Sequence, residues 1–150
     1  SNIQRMIAEH DDEGLRYLGR ISGAEKANAL LSSSVLLFPS MHAEGTPNTV
    51  LAAMGCGLAV LTTRVRGISD FFVGGLMGAE LEGDLTQGIV GAVSALASDN
   101  ARLKSISEYN YSFATQYFHS AKVVERLDHI IDSVIYSSDC GSFWYESEAR

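Results

Sequence analysis

The feature that most constrains this chain is alternation. Short unbroken apolar runs recur between stretches whose apolar residues step by three or four, the pattern of repeated βα units around a mostly parallel sheet. Val35-Leu36-Leu37-Phe38 is the clearest run, stopped by Pro39-Ser40; a continuous apolar stretch of this length is what a parallel strand covered on both faces needs. Leu58 to Thr63 reads as a second strand of the same kind, Leu15 to Gly19 as a strand ahead of both, and Ala79-Glu80-Leu81 as a weaker one behind. Between them, Ala24 to Ser32 carries Ala27, Leu30 and Leu31 on one helical face, and Thr49 to Met54 is a short helix. Gly67 to Gly78 reads as a loop with one helical turn around Ser69 to Phe72. Asp84 stands where it can cap a helix whose apolar positions are Leu85, Ile89, Val93 and Leu96, a spacing of three or four. Two more helices follow through Leu103-Ile106 and Val123 to Val134, so the C-terminal third is all helix. The expected fold class is α/β, a Rossmann-like parallel sheet flanked by helices.

Composition narrows the function classes. With 150 residues, 46% of them apolar, the chain can bury roughly 70% of its unfolded surface without a disulfide or metal staple. Its two cysteines, Cys56 and Cys140, form neither a disulfide framework nor a metal-ligand spacing. Eleven Lys and Arg against eighteen Asp and Glu leave a net charge of −7, so the basic stripe of a nucleic-acid binder is missing. No apolar run approaches the ~18 residues of a membrane span, and no signal-peptide pattern opens the chain; a cytoplasmic location is expected. Residues 1–136 read as a single domain, and residues 137–150 as a tail holding Phe143-Trp144-Tyr145. Ser1-Asn2 reads as an expression remnant. Ile3, Met6 and Ile7 at helical spacing place the start inside an amphipathic helix with no strand before it, which suggests that upstream sequence is missing.

In an open parallel sheet, ligands bind beyond the carboxyl ends of the strands, here the loops after Leu18, Phe38 and Thr63. The second loop is the most informative: Met41-His42-Ala43-Glu44-Gly45-Thr46-Pro47-Asn48 sets a carboxylate, a glycine and a proline directly before a helix. Thr46 fits an N-cap and Pro47 the first helical residue. The unpaired amides and positive dipole end of such a helix suit a phosphate, and Glu44 beside them can accept hydrogen bonds from hydroxyls. The plainer reading, a capped turn with a solvated acid, stays open on spacing alone.

Residues Leu15 to Gly78 add an ordered string. Leu18-Gly19-Arg20-Ile21, Val35 to Ser40, Glu44-Gly45-Thr46-Pro47-Asn48 with Val50-Leu51, Ala53-Met54, Cys56-Gly57-Leu58 and Val60, then Gly67-Ile68-Ser69-Asp70 and Gly78, resemble the donor-binding half of the group 1 family of retaining, nucleotide-sugar-dependent glycosyltransferases with the two-domain GT-B fold. Asn110, Ala114 and Phe118 are compatible with it and less specific. The resemblance implies that Glu44 sits against hydroxyls of the donor sugar as the catalytic-site acid. It implies that Gly45, Thr46, Asn48, Thr49 and Val50 hold sugar and diphosphate through their backbone, and that Arg20 and Ile21 lie near the nucleobase. It further implies a nucleotide-sugar donor as substrate, no cofactor and no metal, retention of configuration, and transfer of a hexose to a glycan or lipid-linked acceptor, with a polysaccharide-biosynthesis role usual in the family. By the same analogy the chain is the C-terminal half of a GT-B enzyme. It would lack its first βα unit and the N-terminal acceptor domain, through which peripheral membrane contact is open, and would be inactive alone.

Three departures bear on that reading. The family's second glutamate, eight residues after the first, is Ala52 here; the proline before the next strand is Ala59; and a loop glycine is Arg66. The loop between Ser40 and Glu44 is also one residue longer than the common form, which brings in His42. An alternative therefore stays open: a degenerate, non-catalytic module that keeps the fold for binding or interaction. Gly55-Cys56-Gly57 precedes a strand and fails as a dinucleotide fingerprint. His10, His119 and His129 are scattered, Asp11-Asp12 reads as a solvated helix end, and Tyr109, Tyr111, Phe113, Tyr117 and Phe118 read as core or interdomain packing.

Overall fold

Three strands, β1 (Val35–Phe38), β2 (Ala59–Thr63) and β3 (Gly78–Leu81), form a parallel sheet in the order β1-β2-β3. The computed structural model describes residues 5–6, 14–42 and 45–136. The helices bounded within the described residues are α1 (Gly23–Leu31), α2 (Asn48–Gly55), α3 (Leu85–Ser98), α4 (Asn100–Tyr117) and α5 (Ser120–Tyr136). The chain divides into two compact units, Ser1–Ser33 and Ser34–Arg150.

In the first unit, α1 begins one residue earlier than its periodicity predicts, and the Ser32 and Ser33 hydroxyls donate back to the Ala29 carbonyl at 3.1 and 2.7 Å. Leu15 to Gly19 is not a strand, contrary to the sequence reading. Leu15, Tyr17 and Leu18 are 51%, 49% and 42% exposed, and extended backbone becomes a strand only when a neighbour takes up its N–H and C=O groups. An apolar run shows capacity for burial; it does not supply the partner. Of the amphipathic helix expected at the start, only Arg5 and Met6 are described, and both are helical.

The second unit follows the alternation closely. β2 is the central strand, buried along its whole length, and its side chains alternate between two cores. Val60 joins Val50 and Met54 of α2, Ile68, Phe72 and Met77 on one side, whereas Ala59 and Leu61 join Leu81, Leu96 and Ile106 on the other. This two-sided covering is why β2 reads as a continuous apolar run and not an alternating one. Registers Phe38↔Thr62 and Thr63↔Leu81 bring the carboxyl ends of the strands to one edge. The link from β2 to β3 holds the expected helical turn: Ser69 N–H reaches the Val65 carbonyl and Phe72 N–H the Ile68 carbonyl, at 3.1 and 2.9 Å. α3 starts as expected at Asp84, whose carboxylate accepts from the Thr86 and Gln87 amides at 2.9 and 3.3 Å.

The two C-terminal helices are longer than the apolar spacing alone suggested. Asp99 caps α4 by accepting from Arg102 N–H at 2.9 Å, and an Arg126 guanidinium donates to the Tyr117 carbonyl across the α4–α5 junction. The expected aromatic packing is present. Phe113 sits against Phe118 at 5.7 Å and Phe71 against Phe118 at 5.5 Å, both edge-on; Tyr109 and Tyr117 pack on Phe113 at 6.1 and 4.7 Å, while Tyr111 is the most exposed of the three tyrosines. Residues 137–150, with Cys140 and Phe143-Trp144-Tyr145, lie outside the described residues.

Asn110 of α4 ties the helix to the sheet. Fully buried, it donates from Nδ2 to the Leu58 and Met77 carbonyls at 2.8 and 2.9 Å. These carbonyls lie just before β2 and β3. Asn110→Ala removes both donated bonds in a buried setting; the Met77 carbonyl keeps the bond it accepts from Val60 N–H at 3.0 Å, whereas the bond lost at the Leu58 carbonyl and the space left by the side chain cost about 1–3 kcal/mol each. A loss of about 2–3 kcal/mol in chemical denaturation is expected; a shift below about 0.5 kcal/mol would show that water takes over the role.

Candidate functional site

The carboxyl edge of the sheet is built by hydrogen bonds from threonine side chains. Thr62 Oγ1 donates to the Phe38 carbonyl at 3.0 Å, and Thr63 Oγ1 donates to the Ser40 carbonyl. Because Thr62 and Thr63 are buried on the central strand, they hold the first residues of the β1–α2 loop to a rigid support. His42 follows, exposed, with its N–H 3.4 Å from Ser40 Oγ. Glu44 lies outside the described residues; Gly45 and Thr46 are exposed in bends that lead into α2.

The start of α2 differs in one residue from its expected cap. Pro47, not Thr46, is the N-cap, in an extended conformation (φ −75°, ψ 113°), and no side chain caps the helix. Proline can stand there because its carbonyl, not its missing N–H, makes the helical bond: it accepts from Val50 and Leu51 N–H at 2.9 and 3.2 Å. With Val50 N–H so engaged, Asn48 and Thr49 are the first-turn residues whose amides have no helical partner. The dipole places partial positive charge at the same end. Val50 is fully buried and its side chain belongs to the core. Asn48 is exposed and Thr49 half-buried. The arrangement can accept an anion at the carboxyl edge of the sheet.

Arg20 and Ile21 belong to the first unit, in the non-helical segment ahead of α1, with Arg20 exposed and Ile21 half-buried. Arg66 is exposed on the β2–β3 link. Its neighbour Arg64 stands 4.0 Å from Glu80, a contact that solvent screens. Cys56 is a half-buried free thiol. Among the described residues no group of three or more His, Cys, Asp and Glu could hold a metal ion, and no helix is long and apolar enough to cross a membrane.

A second concavity borders the same helix. The outward face of α2, with Asn48, Ala52 and Gly55, meets the end of α4 and the residues just beyond it, with Tyr111, Thr115 and His119, around a groove of about 500 Å³. Sequence reading set Tyr111 and His119 aside. Tyr111 and Thr115, four apart, share one face of α4, whereas His119 lies in the α4–α5 junction, where no helical spacing marks it.

A family profile described as "Glycosyl transferases group 1" matches residues 1–99. The chain belongs to that family. This glycosyl transferase chain is 22% identical over 134 residues to an uncharacterized glycosyltransferase of Methanocaldococcus jannaschii, covering 89% of itself and 34% of that protein. Its fold is similar to that of HepE from Anabaena, solved in complex with UDP-glucose, with a TM-score of 0.75 at 15% identity over 88% of this chain and 36% of that one. It is also similar to the pneumococcal O-GlcNAc transferase GtfA, solved with UDP and GlcNAc, with a TM-score of 0.71 at 22% identity over 90% of this chain and 27% of that one. The chain thus spans about a third of the length of these relatives. The likeness bears out the expected fold class, a parallel sheet flanked by helices that matches the C-terminal half of a GT-B glycosyltransferase.

Proposed function

We propose that this chain is the donor-binding domain of a glycosyltransferase, with a nucleotide-diphosphate sugar as its ligand and UDP as the nucleotide. The observation that carries the proposal is the uncapped amino end of α2 at the carboxyl edge of the sheet, directly after Glu44-Gly45-Thr46-Pro47. The amides of Gly45, Thr46, Asn48 and Thr49 and the helix dipole receive the diphosphate. Glu44 accepts hydrogen bonds from the donor-sugar hydroxyls. As the sugar–phosphate bond breaks, negative charge grows on the leaving diphosphate; fixed amides aimed at it stabilise that charge without having to reorganise. Arg20 and Ile21 are assigned to the nucleobase. UDP is favoured because HepE and GtfA are both solved with it. Hexose transfer, with retention of configuration, to a glycan or lipid-linked acceptor completes the reading, and the acceptor is positioned by sequence beyond this third of the enzyme.

Amide NMR of the 150-residue chain with UDP, GDP, ADP and inorganic diphosphate tests the donor site. Saturable shifts at Gly45 to Val50 and at Arg20-Ile21 are expected with UDP at a Kd near ~1 mM, and weaker ones with the other nucleotides. If none of the four ligands moves Gly45 to Val50, the assignment of this loop is wrong.

Ala52 favours a second reading, a non-catalytic module of the same fold. Its methyl group stands where the family resemblance expects a carboxylate, and a lost hydrogen bond to a charged group is worth about 1.5–3 kcal/mol, or one to two decades of donor affinity. Under this reading Ala52→Glu tightens UDP binding at least tenfold and a complete enzyme carrying the natural alanine shows no sugar transfer. Measurable turnover with Ala52 in place excludes it.

A further inference from the structure

The β1–α2 loop is tied to the sheet past the point where the strands stop pairing. The register between β1 and β2 ends at Phe38↔Thr62, and Pro39, with no N–H to donate, cannot carry the ladder further. Two side chains of the central strand extend the attachment. Thr62 Oγ1 donates to the Phe38 carbonyl at 3.0 Å and lies 3.2 Å from the Thr63 carbonyl, so its single proton is divided between two carbonyls of the sheet itself. The Phe38 carbonyl also accepts from Ser40 N–H at 3.0 Å. Thr63 Oγ1 reaches further: it donates to the Ser40 carbonyl, on the far side of Pro39 and inside the loop. Thr63 is buried at the end of β2 and, being branched at Cβ, is stiff at χ1. The loop is therefore held by a side chain with little freedom to follow it.

The other end of the loop is fixed independently. The Pro47 carbonyl accepts from Val50 and Leu51 N–H, and Val50 is locked in the core. Residues 41–46 thus run between two anchors, Ser40 and Pro47, of which Thr63 supplies the first and α2 the second. Releasing the first lengthens the free loop, and ordering it again on binding costs affinity. The Asn48 and Thr49 amides, carried by α2, stay where they are. We propose that Thr63 is a positioning residue for donor binding, whose hydroxyl sets the path on which the Gly45 and Thr46 amides approach the diphosphate, a role that rests on the diphosphate being seated at this loop. The two halves of the site then have separate supports, and the loss of one hydroxyl disturbs the loop half alone.

Amide NMR of the 150-residue chain with UDP tests this in Thr63→Val, Thr63→Ser and Thr62→Val. Thr63→Val keeps the shape and loses the hydroxyl; the UDP Kd is expected to rise about fivefold, the worth of one neutral hydrogen bond. The limiting shifts at Gly45 and Thr46 are expected to shrink by half or more, while those at Asn48 and Thr49 persist. Thr63→Ser keeps the donor and is expected to bind UDP within about twofold of the unaltered chain. Thr62→Val is the control, a buried hydroxyl lost one residue away: the Phe38 carbonyl keeps its bond from Ser40 N–H, and UDP binding is expected to change less than about twofold. Should valine disturb the fold, as a denaturant melt would show, Thr63→Ala against Thr63→Ser repeats the comparison with smaller side chains. Equal losses in the two valine variants would mark a general effect of packing and overturn the proposal, as would a loss that serine does not restore. An unaltered chain that shows no UDP response at Gly45 to Val50 places the failure in the donor site, and the proposal falls with it. A response there that Thr63→Val leaves intact places the failure in Thr63 alone.

Discussion

Gly78→Ala is expected to cost about 3 kcal/mol of stability, which in a domain of this size lowers Tm by about 10 °C. Gly78 opens β3 opposite Val60 on the central strand, with φ at +145°. A Cβ built there overlaps the Val60 carbonyl and lies 2.7 Å from its carbonyl carbon and from the Val60 nitrogen. The obstruction is backbone, so no side-chain rotation relieves it. Either β3 moves away from β2 or the alanine is held in a region that L-residues avoid. Gly75→Ala is the matched control. It also sits at positive φ, +85°, but has nothing within 4 Å, and is expected to cost only about 1–2 kcal/mol. Denaturant melts of the two variants separate close approach from backbone preference; equal losses would show that the approach of β3 to Val60 is not what requires glycine.

Glu44→Ala, made in a complete enzyme that carries this chain, is expected to slow sugar transfer several hundredfold. On the role proposed for Glu44, the methyl group removes charge-assisted hydrogen bonds to the donor sugar, worth about 1.5–3 kcal/mol each, and a few hundredfold corresponds to about 3.5 kcal/mol of barrier. Two such bonds supply that amount. UDP alone has no sugar for Glu44 to touch, so its affinity is expected to change less than threefold. The pair of measurements is discriminating: a large loss of UDP affinity would make Glu44 a support of the loop, and unchanged turnover would remove it from the reaction altogether. Glu44→Gln keeps the size and loses the charge, and an intermediate rate is expected from it.

Much of the architecture was legible before any tertiary contact was known, because it rests on local periodicity. β1 matches its apolar run residue for residue, since Val35 to Phe38 is bounded by Pro39. The central strand announces itself through its unbroken apolar character, which follows from the two cores that cover it. The cap at Asp84 was equally readable because capping is a contact between residues two and three apart. The ordered string around Pro39-Ser40 and Gly45-Thr46-Pro47 pointed to the family that the comparisons show.

Other features depend on contacts that no local pattern carries. Leu15 to Gly19 has the composition of a strand and is not one, because pairing is a property of two segments. Pro47 takes the capping position that Thr46 was suited to, since the path of the loop decides which carbonyl faces the helix. Asn110 is one polar residue among several on α4, and only its burial against the Leu58 and Met77 carbonyls makes it a tie between helix and sheet. Tyr111 and Thr115 share a helical face by their spacing; that this face, with His119 of the α4–α5 junction, meets the outward side of α2 is a consequence of how α4 packs. The sequence by itself determined the kinds of element, their order and the loop that carries the candidate donor site, because hydrophobic periodicity and turn chemistry act over a few residues. Tertiary structure decided which polar groups converge, because that depends on elements dozens of residues apart burying their apolar faces against one another.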